Sequence, residues 1–408
     1  MQTYFTHLQG SDVAQYGFNV LGRIPLDGAA RREAAEGEFG FEQYLNLGDA
    51  LNTSLGPWTF VQDQRLHVLG KSAVSDALSI TTFDANSGDV WNPASSLGEA
   101  LLPQSRIAAA RYFADTLVWL EGRRFSEQPQ RVTVHGATLS PEDAQALESL
   151  FFDTSAGWLN DEAAFVTTCA APDAPAGIAR LELTQQDTVT LANLLKIYPA
   201  DDPQLHILAC HGTDDGLYWV ERREGTERLM FLGNRDAQPS ALATFPTDTP
   251  GVGLRYDRPR NLATDPQRWD PGLMVMHVAD SQDAYFIYGL RDAPTPSIVL
   301  VEWSRGSNTF AVSEPIPVAM NAVPGELCVG PWNDQQACGE IGQFGCGPLA
   351  CDQQTRLPVS RPYVQPWEAE MLAVGEDVHV FLTVARTEQP AYASLYRYEL
   401  QYLKLPRP

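Results

Sequence analysis

The stretch LHILACHGTDDGLYWVERREGTERLMFL at residues 205–232 decides the fold. An apolar segment of strand-forming residues opens it, a polar turn follows, and a second apolar segment comes before the next polar break. Similar units recur along the chain at 58–91, 107–135, 273–318 and 368–403, and residues 163–197 fit the pattern more loosely. Repeats of this kind predict an all-β fold of the β-propeller type, in which each unit is one small sheet.

The repeat also predicts the organisation of the whole chain. Six units are recognisable, and the chain ends together with 321–367 supply a seventh, so we expect seven blades within a range of six to eight. We expect residues 1–408 to form a single domain whose ring is closed by N- and C-terminal strands, since closure removes exposed strand edges. A pair of β-sandwich domains is the alternative, against which the evenness of the repeat argues.

One segment predicts a short inserted helix. SPEDAQALESLFF at 140–152 places Ser140 at an N-cap and Pro141 in the first turn, with acidic residues after them and apolar spacing near 3.6. TLANLLKI at 190–197 is compatible with either a helix or a strand.

Composition narrows the classes of partner. The 408 residues include 44% apolar and 10% aromatic side chains, which is ample for a packed core. The formal net charge of −23 opposes binding to nucleic acid phosphates or anionic lipid surfaces. No apolar run approaches the roughly 20 residues of a membrane-spanning helix, so we expect no membrane span.

The six cysteines point to an oxidising compartment. Four of them lie in a Gly- and Gln-rich segment within 319–367, without a C-x-x-C pair, which predicts a loop insertion stapled by two disulfides rather than a zinc site; they are Cys328, Cys338, Cys346 and Cys351. Cys169 and Cys210 either form a third bridge or are buried thiols. Met1 is followed by polar residues rather than an export leader, and we expect that a signal or lipoprotein leader has been removed.

The segment ITTFDANSGDVW at 80–91 has oxygen ligands suited to calcium, namely Asp84, Asn86 and Asp89. The same letters between two strands are first a turn signal, because Asp bonds its own backbone and Gly supplies a positive φ. We favour the turn and keep Ca²⁺ as the weaker hypothesis. No nucleophile, metalloprotease or phosphate-loop motif is present.

A basic and aromatic cluster stands out against the acidic background. Its segments RIAAARYF, LRYDRPRNLATDPQRW and SRPYVQPW each precede a predicted strand pair. On one face they would form a pocket for a planar anionic ligand, whereas the alternative is that these arginines pair with the surplus carboxylates. The candidate ligand-binding residues are Arg106, Arg111, Tyr112, Arg255, Tyr256, Arg258, Arg260, Trp269, Arg361, Tyr363 and Trp367.

The layout resembles exported bacterial β-propeller proteins of this length, including surface lipoproteins that accompany outer-membrane uptake of iron–siderophore complexes. The opening strand pair from Tyr4 to Ile24, the next pair from Trp58 to Gly70 and the irregular blades beyond carry the resemblance. It implies a periplasmic or cell-surface location, with or without a lipid anchor, and an outer-membrane transporter as partner. Asp84, Ser87, Gly88 and Trp91 separately resemble one shortened copy of the quinoprotein propeller repeat.

Three hypotheses of function follow. The leading one is an exported binding protein for an anionic ferric siderophore or a similar aromatic chelate, which would be its bound group. The first alternative is an enzyme, either a quinone-dependent dehydrogenase or a polysaccharide-active propeller. The second is a surface platform for protein interactions, with the stapled loop as the contact.

Overall fold

The computed structural model of the chain describes fifteen stretches of residues, namely 2–9, 18–25, 43–46, 58–71, 77–84, 90–100, 105–123, 132–148, 156–169, 176–198, 204–254, 272–290, 297–318, 363–387 and 397–408. These stretches contain 27 strands and one helix. The all-β class predicted from the sequence is confirmed.

The strands form successive sheets in chain order, which is the organisation of a β-propeller, and the described residues hold seven of them. Sheet 1 comprises β1 Gln2–Gln9, β2 Phe18–Pro25 and β3 Gln43–Asn46. Sheet 2 comprises β4 Trp58–Gln62, β5 Arg65–Lys71, β6 Ala77–Asp84 and β7 Val90–Ala100. Sheet 3 comprises β8 Ser105–Phe113, β9 Thr116–Arg123 and β10 Val132–His135. Sheet 4 comprises β11 Thr138–Leu139, β12 Ala156–Leu159, β13 Ala163–Thr167, β14 Ile178–Gln185 and β15 Val189–Ile197.

Sheets 5 to 7 complete the series. Sheet 5 comprises β16 Leu205–Thr213, β17 Gly216–Arg223, β18 Thr226–Gly233 and β19 Ser240–Thr244. Sheet 6 comprises β20 Leu273–Val278, β21 Ala284–Leu290, β22 Ser297–Ser304, β23 Thr309–Val312 and β24 Ile316–Pro317, and sheet 7 comprises β25 Tyr363–Val374, β26 Asp377–Thr387 and β27 Arg397–Pro406.

Antiparallel pairing dominates, and the sequence of the turns explains it. Between β17 and β18 the two central residues Glu224 and Gly225 both have positive φ, 51° and 78°, as a two-residue hairpin turn matched to strand twist requires. Asp63 and Gln64 form the same kind of turn between β4 and β5, at 51° and 59°. The deciding stretch 205–232 therefore folds as a three-stranded meander, β16–β17–β18.

The predicted helix is confirmed as α1, Pro141–Glu148. The Ser140 hydroxyl accepts a hydrogen bond from the Asp143 amide at 3.0 Å, which is the N-cap geometry expected from the sequence. The ambiguous segment 190–197 lies in strand β15. Residues 149–152 of the predicted helix lie outside the described stretches.

The two ends of the chain do not share a sheet among the described strands. β1 belongs to sheet 1 with β2 and β3, and β27 belongs to sheet 7 with β25 and β26. Each terminal strand has described hydrogen-bonding partners in its own meander, and closure of the ring by N- and C-terminal strands stays a prediction.

The chain divides into two compact units, each with more contacts within itself than with the other. One ends at Asp248 and includes sheets 2 to 5; the other runs from Thr249 and includes sheets 6 and 7, with the residues of sheet 1 shared between the two. That the whole of 1–408 is one domain stays a prediction. The predicted insertion at 319–367 lies outside the described residues, apart from the start of β25.

Sheet 4 carries apolar side chains on both faces, and two cores result. Leu181 and Leu191 pack toward sheet 3 with Val118 and Leu120. Phe165 packs on the other side in a cluster with sheet 5 residues such as Trp219. No helix in the described part of the chain is long and apolar enough to cross a membrane.

Candidate binding site

Three turns of sheets 4 and 5 meet around an open cavity of about 600 Å³. They are the β12–β13 turn at 160–162, the β16–β17 turn at 214–215 and the turn that follows β18 at 233–236. Its lining residues are Asp161, Glu162, Asp214, Asp215, Phe231, Gly233, Asn234, Arg235 and Asp236. The site is therefore built from hairpin ends rather than from the strands themselves.

Two buried asparagines hold these turns together. The Asn160 amide donates to the Thr213 carbonyl and to the Asn234 Oδ1, both at 2.9 Å, and its own Oδ1 accepts from the backbone amides of Glu162 and Ala163. Asn234 in turn donates to the Asp214 carbonyl at 2.7 Å. Since both asparagines are about 95% buried and fully engaged, the network fixes the spacing of the three turns.

A buried arginine supports the third turn from below. Arg180, on β14, donates to the Gly233 carbonyl at 2.9 Å and to the Asp236 carbonyl at 2.5 Å. The Asp236 carboxylate accepts the Gly233 amide at 3.0 Å, which closes the turn on itself. Burial lowers the pKa of Arg180, and the nearby carboxylates of Glu182 and Asp236 oppose that shift.

The lining is strongly acidic. Five carboxylates contribute to it, whereas Arg235 is the single cation among the lining residues and lies 3.6 Å from a Glu162 oxygen. Arg111 adds a second cation at the rim, where it bonds Asp161 at 2.9 Å and lies 4.0 Å from Asp214. Even with Arg180 beneath the third turn counted, three guanidinium groups cannot neutralise five carboxylates, so the cavity keeps a net negative charge.

This arrangement suits an organic cation. Within the described stretches, no group of three or more His, Cys, Asp or Glu side chains is close enough to hold a metal. Carboxylates spread around a wide opening instead match the several donors of a guanidinium or ammonium group.

The structure places two of the sequence-predicted ligand residues with their side chains. Arg111 pairs with carboxylates at the rim of the acidic cavity, as the alternative interpretation of these arginines expected for this residue, and its part in an anion site stays a prediction. Tyr112 packs its ring against those of His67 and Phe60, at 5.0 and 6.1 Å, and burial raises its pKa.

The remaining members of the predicted cluster are placed only in part. Arg106 lies on β8, and Tyr363 and Trp367 lie on β25, where the structure describes the backbone alone. The others lie outside the described residues, namely Arg255, Tyr256, Arg258, Arg260, Trp269 and Arg361. Whether these residues converge stays a prediction.

The weaker calcium hypothesis is likewise open. Asp84 ends strand β6, and Asn86 and Asp89 lie outside the described residues. The connection from β6 to β7 joins antiparallel neighbours, which agrees with the turn that we favoured.

Two of the six cysteines lie among the described residues and four lie outside them. Cys169 and Cys210 are thiols that are not joined in a third disulfide. Both are half-buried members of the core between sheets 4 and 5, which matches the alternative of thiols in the interior. Cys328, Cys338, Cys346 and Cys351 lie outside the described residues, so the stapled loop stays a prediction.

Sequence reasoning missed the residues that build the cavity. The signal was present in part, because Asn160-Asp161-Glu162 and Asp214-Asp215-Gly216 are turn signatures that follow strand patterns. Nothing in the sequence, however, indicates that these turns and Asn234 meet, since they are separated by whole strands.

Neither a protein-family model nor a curated protein sequence matches this chain. Among solved structures, a prolyl endopeptidase is 9% identical over 100% of this chain and 49% of its own, with a TM-score of 0.42. A puromycin-hydrolyzing peptidase of Mycobacterium tuberculosis is 11% identical over 97% of this chain and 50% of its own, with a TM-score of 0.44. The Nup133 β-propeller domain of Vanderwaltozyma polyspora is 10% identical over 86% of this chain and 92% of its own, with a TM-score of 0.34.

This chain thus spans about half the length of the two peptidases it matches. Likenesses of this degree carry no information about what the chain binds or whether it acts on a substrate.

Proposed function

We propose that this chain is a ligand-binding β-propeller whose acidic cavity receives a positively charged organic group, namely a lysine or arginine side chain of a partner protein. The excess of carboxylates over guanidinium groups around the cavity supports this proposal. It is a form of the interaction platform considered from the sequence, with the contact at the turns of sheets 4 and 5.

The rigidity of the turns adds to the argument. A binding site gains affinity when its groups are held in place before the ligand arrives, because less conformational entropy is then lost. The Asn160–Asn234 pair and Arg180 hold the backbone of the three turns, while Asp161 and Asp214 project into solvent with 77% and 92% of their side-chain area exposed.

The net charge of the whole chain also favours a positively charged partner. A formal net charge of −23 attracts basic partners over a distance of about a Debye length, roughly 8–10 Å at physiological salt. We therefore expect association that is fast at low salt and slows as salt is added.

The test is a calorimetric titration of the full chain with a short peptide rich in lysine and arginine, at low and at high salt. The double variant Asp161→Asn/Asp214→Asn should weaken binding by about fivefold, since it removes two of the five carboxylates. Asp187→Asn is the matched control, because Asp187 is exposed in the β14–β15 turn outside the cavity. Absence of binding at low salt, or an equal loss in the control, would overturn the proposal.

An anionic ferric siderophore or similar aromatic chelate is the second candidate. Its support is a separate surface on sheet 2, where the Arg65 guanidinium lies 4.7 Å from the centre of the Trp91 ring and that ring is 56% exposed. A planar aromatic anion could stack on such a pair. Ferric catecholate should then quench tryptophan fluorescence in the native chain and much less in Trp91→Leu, and no quenching in the native chain removes this candidate.

Export to the periplasm or cell surface, with an outer-membrane transporter as partner of the siderophore form, is part of this second candidate. The cysteine-rich segment 328–351 supports an oxidising compartment. Mass spectrometry of the native protein under non-reducing conditions tests it, because six free thiols would contradict export.

A further inference from the structure

Two cysteines from neighbouring sheets meet in the core between sheets 4 and 5. Cys169 follows the last residue of β13 by two positions, and Cys210 lies on β16. Both pack in the cluster that contains Phe165 and Trp219. They are thus close in space although strands β14 and β15 lie between them in the chain.

The two thiols are neighbours in this core cluster. Burial, followed by the neighbouring Cys169 thiol, raises the pKa of Cys210. The Thr167 hydroxyl lies 3.8 Å from the Cys210 sulfur and is itself fully buried. In the described part of the chain these are the only two cysteines, and neither is in a disulfide.

We propose that Cys169 and Cys210 form a redox-controlled disulfide that links sheet 4 to sheet 5, by exchange with a low-molecular-mass disulfide such as oxidised glutathione. This inference does not depend on the proposed function. A first thiolate attacks the small disulfide, which gives a mixed disulfide and releases one glutathione thiol. The second protein thiolate then attacks the mixed disulfide and releases the other glutathione thiol, so two protein thiols lose two protons and two electrons in total.

The environment of the pair predicts how the reaction proceeds. Thiolates are the attacking species, and a buried thiol with a raised pKa supplies few of them near neutral pH. We therefore expect closure to be slow at neutral pH and to accelerate as pH rises. Once closed, the bridge joins residues on either side of β14 and β15 and restricts the unfolded chain, which stabilises the fold.

The experiment uses the full chain in buffers of reduced and oxidised glutathione, followed by rapid alkylation and non-reducing peptide mapping. We expect one cross-linked peptide pair that contains Cys169 and Cys210, together with a rise of several degrees in the thermal midpoint of the oxidised protein. The variants Cys169→Ser and Cys210→Ser should each abolish that peptide pair and that rise. They keep the other four cysteines, and therefore control for changes elsewhere.

The opposite results are equally clear. Separate glutathione adducts on Cys169 and Cys210, or bridges from either of them to one of the four cysteines in 328–351, would overturn the proposal. So would a cross-link that leaves the thermal midpoint of the native chain equal to those of the two single variants under the same buffer. Loss of basic-peptide binding in the native chain would count against the proposed function alone, since peptide mapping does not depend on it.

Discussion

The two faces of sheet 4 are built in different ways. The face toward sheet 3 is a core of aliphatic side chains such as Val166, Leu181 and Leu191, joined by Phe113. The face toward sheet 5 carries the ring of Phe165, which packs with Trp219 of sheet 5, and polar groups accompany this core. These polar groups are the cysteine pair, the asparagine network, Arg180 and the Tyr198–Glu221 hydrogen bond.

The difference shows how a repeated sheet can carry a specific site. An apolar interface tolerates exchange of similar side chains, because it depends on volume and contact. A buried polar interface requires every donor and acceptor to find its partner, and it fixes one arrangement. The cavity lies at the end of the second kind of interface, where fixed geometry matters.

The largest expected effect on stability comes from substitution of two neighbouring residues on β13 whose side chains lie in opposite cores. Phe165→Ala should lower the free energy of unfolding by about 3–5 kcal/mol and Val166→Ala by about 2 kcal/mol, since the larger ring leaves the larger cavity. Urea unfolding followed by tryptophan fluorescence measures both. Equal losses would mean that the core toward sheet 5 relaxes around the cavity and is not the more rigid face.

The next effect tests the asparagine network. Asn160→Ala should cost about 2–3 kcal/mol, because it leaves the Thr213 carbonyl, the Asn234 oxygen and two backbone amides without their partner. Gln186→Ala, at an exposed turn position, is the control and should change stability by less than about 0.5 kcal/mol.

The double variant Asn160→Ala/Asn234→Ala distinguishes a network from two independent contacts. The double variant should lose less unfolding free energy than the two single variants together, since each single variant already leaves the other asparagine without a hydrogen-bonding partner. Strict additivity would contradict the coupling seen in the structure.

Sequence reasoning reached the parts of this fold that depend on local pattern. The meander at 205–232 follows from apolar segments and turn residues, and α1 follows from Ser140 and Pro141. The cavity could not be predicted from the sequence, because the turns near Asn160 and Asn234 meet only after the sheets have stacked. The partner of Arg111 could not be identified for the same reason, since the carboxylate of Asp161 that pairs with it comes from a different sheet.

A smaller contribution to stability depends on pH and comes from the core between sheets 4 and 5. The Tyr198 hydroxyl donates to the buried Glu221 carboxylate, and burial followed by this bond raises the pKa of Tyr198 well above its usual value near 10. The folded state therefore keeps its proton where the unfolded chain has lost it. Stability from this group is complete below about pH 10 and falls as pH rises further.

Tyr198→Phe tests this reasoning. The variant should lose about 1–2 kcal/mol at neutral pH, because the Glu221 carboxylate loses the hydrogen bond that the Tyr198 hydroxyl donates to it. Between pH 9 and 11 its stability should fall less steeply than that of the native chain, as measured by thermal unfolding across that range. Parallel curves would show that Tyr198 ionises alike in both states.

The smallest effect on stability should come from Asp161, where sheet 3 and sheet 4 are joined by an ion pair in solvent. The Asp161 side chain is 77% exposed, so its 2.9 Å contact with Arg111 is screened by water and Asp161→Asn should cost no more than about 0.5 kcal/mol. The same substitution removes a carboxylate from the cavity and should weaken binding of the basic peptide about twofold. This contrast would separate two roles of polar groups around sheet 4, that of Asn160 in the fold and that of Asp161 in the proposed binding site. If Asp161→Asn destabilised the chain as much as Asn160→Ala, the exposed carboxylate would belong to the scaffold, and the acidic lining would no longer support a binding site.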